Sequence, residues 1–158
     1  MGIALLEERF QQYKKEYPQN IPALTVLARQ ISGLQIQIRK LFEDITPSLC
    51  SACEIKCCSG MPIDGWFTAE DYFAYRMLYD VPEVLEEHHA EQWNCSFLRP
   101  DGCFLPEDMR PLACVKVNCQ KLNQVLEEQG ARSQFKQLSE AIDDIQTKLW
   151  ELVGNNEE

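Results

Sequence analysis

No stretch of this sequence is suited to crossing a membrane. No run approaches the roughly 20 consecutive apolar residues that a bilayer demands. The opening residues, Met1-Gly2-Ile3-Ala4-Leu5-Leu6-Glu7-Glu8-Arg9, lack the features of a secretory leader: there is no basic start, and acids follow a short apolar run. The chain therefore reads as cytoplasmic. Positive charge is scarce as well. Fifteen Lys and Arg stand against 25 Asp and Glu, for a net charge of −10, and no basic stripe reverses this locally. Phosphate backbones repel such a surface, which argues against nucleic-acid binding. There are no internal repeats, no low-complexity tract, no glycine-rich nucleotide loop, no Ser/His/Asp grouping and no S-adenosylmethionine-type motif. No residues define a reaction, so the sequence leaves open whether the protein is an enzyme. Strand signals are also missing; Cys114 to Val117 alternates but is short.

What is present is helical periodicity. Ile3, Leu6, Phe10, Tyr13 and Tyr17 recur at alternating intervals of three and four, which places one apolar stripe on one helix face. Pro18 and Pro22 bracket a turn, with Asn20 placed to cap the next helix. Leu24, Leu27, Ile31, Leu34, Ile38, Leu41 and Ile45 then form a heptad seam that Pro47 ends. Phe135, Leu138, Ile142, Ile145, Leu149 and Leu152 repeat the design near the C-terminus, with Gly154 as a stop. Three such stripes in one small chain bury one another most simply as an antiparallel helical bundle. The expected fold is thus mostly all-α. One seam left exposed would serve a homodimer or a protein partner instead.

The expected organisation is a single domain over 1–158, with N-terminal helices in 1–46, a cysteine-rich segment in 47–119 and C-terminal helices in 120–154. Within the middle segment, Thr68 looks like a helix cap with the acid Asp71 three residues on, followed by Tyr72, Tyr75, Met77 and Leu78. Pro82 to Trp93 is a second helical candidate. From about Ala113 the pattern turns helical again and runs through Leu122, Val125 and Leu126 to Gly130. Trp66, Phe67, Tyr72, Phe73 and Tyr75 are expected to pack as a cover over the cysteine loop.

All eight cysteines fall in this middle segment: Cys50, Cys53, Cys57, Cys58, Cys95, Cys103, Cys114 and Cys119. In a reducing compartment such a set is reduced, catalytic or metal-bound. A thioredoxin-like pair needs a βαβ context that is missing, and compartment disfavours a disulfide framework. Some thiols, Cys119 and one of Cys57 or Cys58 among them, would also suit packing as small hydrophobes. Metal ligation accounts best for the whole, with either an iron–sulfur cluster (4Fe-4S) or Zn as the cofactor. Cys50-Ser51-Ala52-Cys53 can place two thiolates on one metal. Cys57 and Cys58 are adjacent and point apart, so which of them is a ligand stays open. Cys114 and Cys119 lie about 140° apart on an ideal helix, so Cys114 is expected in a loop or first turn and Cys119 further in. Folding of this half is expected to depend on the metal.

His88-His89 project about 100° apart on a helix, and among Glu86, Glu87 and Glu91 they read as a solvated face. Arg110 suits a cofactor-binding role, its guanidinium offsetting thiolate charge, or else a surface ion pair with Glu107 or Asp108.

Cys50, Cys53, Cys57 and Cys58, followed by Cys95-Ser96-Phe97-Leu98, Cys103, Arg110-Pro111 and Cys114, resemble the zinc- or iron-chelating domain family named for its C-x-x-C-x-x-C-C signature. The resemblance covers about Cys50 to Cys119. It implies up to eight metal-chelating cysteines; some larger relatives are lysine N-methylases acting on flagellin, in which an iron–sulfur cluster is implied. This chain departs from the pattern in having three residues, Glu54-Ile55-Lys56, before the paired cysteines, and Val115 where a basic residue is frequent.

Overall fold

The computed structural model describes residues 2–44, 67–83, 95, 97–99 and 102–154. The described chain is mostly helical, as the periodicity predicts. Helix α1 spans Ile3–Glu16, a 3₁₀ turn spans Pro18–Asn20, and α2 spans Ile21–Phe42. Helix α3 follows at Ala69–Leu78. A short antiparallel ladder then pairs β1 (Leu98–Arg99) with β2 (Gly102–Cys103). Helices α4 (Leu112–Lys116), α5 (Gln120–Glu128) and α6 (Arg132–Val153) complete the chain. Helix α2 packs against α6 and α3; α3 also packs on α1 and α6. The helical candidate from Pro82 to Trp93 lies, from residue 84 on, outside the described residues, as do His88 and His89.

The helix ends follow local chemistry. Thr68 Oγ1 accepts the Asp71 amide, which caps α3 as expected. Pro22 stands in the first turn of α2, where its missing N–H costs nothing. Asn20 does not cap α2 through its side chain; its Nδ2 donates to the Tyr13 hydroxyl at 3.0 Å, and that hydroxyl donates in turn to the Leu152 carbonyl at 3.0 Å. Gly130 takes φ 67°, the left-handed conformation that only glycine adopts without strain. The Ala131 amide can then reach back to the Leu126 carbonyl at 2.9 Å and close α5.

The core joins residues from every long helix. Ile3, Leu6, Phe10 and Tyr13 of α1 are buried, as their spacing predicts, and so are Leu138, Ile142, Ile145 and Leu149 of α6. On α2 the buried face is rotated from the expected seam. Leu24, Ile31 and Ile38 are buried, but Ala28, Gln35 and Phe42 complete the face, while Leu27, Leu34 and Leu41 are only partly buried. Ala28 is small enough to be fully buried there, and Gln35 is held inward by hydrogen bonds described below.

Helices α1 and α3 are tied by a polar cluster set in apolar surroundings. Glu7 accepts from Arg76 Nε at 2.8 Å and from the Tyr72 hydroxyl at 2.7 Å, and the Arg76 guanidinium lies 5.3 Å from the centre of the Phe10 ring. Burial alone would raise the Glu7 carboxyl, but the bonds from Arg76, Gln11 and Tyr72 outweigh it and hold its pKa below the ordinary value.

Candidate metal centre

Four of the eight cysteines, Cys50, Cys53, Cys57 and Cys58, lie outside the described residues, as does Trp66. The other four sit on the downstream half of the segment. Cys95 leads into β1, and Cys103 lies on β2, its Cα opposite that of Leu98. Phe97, between Cys95 and the ladder, is fully buried, and its carbonyl accepts the Phe104 amide at 2.7 Å. Phe97 also meets Phe67 edge-on at 5.8 Å, and Phe67 in turn meets Tyr72 and Tyr75. These aromatics are buried in the core; the loop of residues 50–58, over which Phe67, Tyr72 and Tyr75 are expected to pack, lies outside the described residues.

Cys114 lies in α4, and its side chain is exposed. Cys119 is not deep in a helix, as the pattern had suggested. It is the N-cap of α5, and its Sγ accepts the Leu122 amide at 3.4 Å. The physical reason is a break: residues 117–119 leave helical geometry between α4 and α5, so the 140° separation of a continuous helix does not apply.

The stretch from Asp108 to Cys114 is anchored by side chains from distant parts of the chain. Gln35 of α2 is 1% exposed. Its Oε1 accepts the Arg110 amide at 2.9 Å, and its Nε2 donates to the Arg110 carbonyl at 2.8 Å. Asp71 of α3 is 5% exposed, and its Oδ2 accepts the Leu112 amide at 3.0 Å. Asp108 accepts from the Ser32 hydroxyl and the Tyr79 hydroxyl, each at 2.6 Å. The bond to Asp108, with burial behind it, pushes the Tyr79 phenol up to about 12. Pro111 is fully buried, and its carbonyl accepts the Cys114 amide at 2.9 Å.

Asp71 has one unusual property. Its Oδ1 is buried without a hydrogen-bond partner among the described residues. Burial raises its pKa to about 7; the Leu112 amide and the Lys116 charge pull it down, and the Glu70 charge pushes it up. Lys116 itself is paired with Asp143 and donates to Gln146.

Arg110 does not form the surface ion pairs considered from sequence. Glu107 pairs with Arg39, and the Asp108 oxygens are taken by Ser32 and Tyr79. The Arg110 Nε–H is buried without a partner among the described residues, and so is the Nδ2 of Asn118, which precedes Cys119. Donors of this kind are what an anionic thiolate or sulfide group would accept. Among the described residues no three His, Cys, Asp or Glu side chains come together as a metal-holding group.

Periodicity and motif reading missed Ser32, Gln35, Asp71 and Asn118. Gln35 lies off the apolar seam read for α2 and Asp71 reads as a helix-start acid, so no local signal marked either as buried.

Among the described residues no helix is long and apolar enough to cross a membrane. No family model matches the chain, and no curated protein and no solved structure matches it.

Proposed function

We propose that this chain is a cysteine-ligated metalloprotein, an antiparallel helical bundle carrying a metal-binding segment between its second and last long helices. The proposed ligands come from Cys50, Cys53, Cys57, Cys58, Cys95, Cys103, Cys114 and Cys119, with Arg110 beside them as a charge-compensating donor. The bound group is an iron–sulfur cluster or zinc. A cluster would supply one-electron exchange; zinc would cross-link the two halves of the segment. The observation that carries the reading is that two buried donors, Arg110 Nε and Asn118 Nδ2, have no partner among the described residues and lie in the one segment of the sequence where cysteine occurs. The resemblance to the zinc- or iron-chelating family belongs to the same proposal.

The site residues position rather than transform. Gln35 and Asp71 hold the backbone that presents Cys114, and the Leu122 amide donates to the Cys119 sulfur.

Anaerobic purification followed by elemental analysis and an absorption spectrum tests the reading. Stoichiometric iron with visible thiolate-to-iron bands supports a cluster and a redox role. Stoichiometric zinc in a colourless protein supports a structural site, in which case the helical faces would serve a partner or a second copy. Protein without stoichiometric zinc or iron contradicts the proposal.

A further inference from the structure

Residues 108–111 have no regular secondary structure, yet their backbone is held by side chains from distant helices. The bonds come from outside. Gln35 satisfies both backbone groups of Arg110, Asp71 takes the amide of Leu112, and Pro111 between them is sealed in the core and accepts the amide of Cys114. The path from the α2 interior to an exposed cysteine is therefore continuous: Gln35, Arg110, Pro111, Cys114. The side chain of Arg110, whose buried Nε–H has no partner among the described residues, starts from the same clamped backbone.

We propose that Gln35 and Asp71 are positioning residues for the thiolate site, fixing Cys114 and the Arg110 guanidinium relative to the other ligands before a metal arrives. This rests on the reading that the cysteines hold a metal. A clamp with this role differs from one that only supports the fold: loosening it changes how the site holds a metal, over and above any loss of stability. Groups that orient ligands in this way typically change metal affinity by about 10- to 100-fold when removed.

The test uses the full chain, stripped of metal and reloaded with cobalt(II), whose visible spectrum reports thiolate ligation and coordination geometry. Gln35→Met keeps the volume and removes both bonds to Arg110. Asp71→Ala removes the acceptor for Leu112, whereas Asp71→Asn keeps one. Ile142→Val, in the α6 core away from the clamp, serves as a stability control. Gln35→Met and Asp71→Ala are expected to weaken cobalt binding about tenfold or more and to alter its visible bands. Asp71→Asn and Ile142→Val should stay close to wild type. If Gln35→Met does not fold, Gln35→Glu, which keeps the acceptor for the Arg110 amide, takes its place beside Asp71→Ala. Unchanged affinity and bands in the folded clamp variants would overturn the proposal while leaving the metal reading intact. Failure of the wild-type chain to bind cobalt, zinc or iron would overturn both.

Discussion

The Asp71 carboxyl and the Leu112 amide meet at 3.0 Å in the core, 41 residues apart in sequence, and this bond is the only one that the carboxyl accepts among the described residues. The contact explains why a residue that reads as an ordinary helix-start acid turns inward. It also leaves a charge poorly compensated, since one oxygen has no donor and Lys116 acts only at a distance.

The pH dependence follows from that imbalance. The Asp71 pKa is about 7 in the folded chain, against 3.8 for the unperturbed group. Between these values the folded state binds the proton and the unfolded state does not. Stability from this group is therefore complete below about pH 4 and falls as pH rises towards 7, with a slope on the order of 1 kcal/mol per pH unit. Asp71→Asn should flatten this part of the profile. Urea titrations of the metal-free protein at several pH values check it, and parallel profiles for the two chains would refute the assignment.

Gly33 lies inside α2, where a Cβ would meet no atom within 4 Å. Gly33→Ala should stabilise the protein by about 0.5–1 kcal/mol. For a chain of this length that is a rise in melting temperature of roughly 1–4 °C. Differential scanning calorimetry measures it; a lower melting temperature would mean that the helix needs the glycine.

Ala28 is fully buried on the face of α2, whereas the nearby Leu27 is only partly so. Ala28→Leu should overpack the interface and cost about 1–3 kcal/mol. Leu27→Ala should cost less than a fully buried leucine, which loses about 2–5 kcal/mol. Reversing that order would place the buried seam where simple apolar spacing puts it.

Chelation offers a further check. Leu105, Met109, Pro111 and Leu112 are buried in the protein core, and the backbone among them is held by Ser32, Gln35, Asp71 and Tyr79. Metal removal is therefore expected to leave the helical circular-dichroism signal and the slow exchange of the Arg110 amide largely intact. Loss of both on chelation would restore the simpler view, drawn from the cysteine pattern, that metal binding folds this half.

Much of the architecture could be read from apolar spacing. The faces of α1 and α6 follow it nearly residue by residue, and Thr68 and Gly130 mark helix ends through chemistry that is local to them. The face of α2 was misplaced because spacing counts apolar side chains: Ala28 is small and Gln35 is polar, so neither registers as core. The pairing of Leu98 with Cys103 was missed because two residues are too few to show alternation. At the candidate site, the cysteines and Arg110-Pro111 were visible as a motif. Their anchors were not, because Gln35 lies 75 residues from Arg110 and no local pattern records such a pair.

The anchoring has a consequence for portability. Among the described residues, the side chains that hold residues 108–112, namely Ser32, Gln35, Asp71 and Tyr79, come from outside the stretch between Cys95 and Cys119. The downstream cysteines are thus a surface inlay on the helical core. Excised as a peptide or grafted onto another scaffold, the same motif would lose the bonds that set its shape, and its spacing alone would not rebuild them.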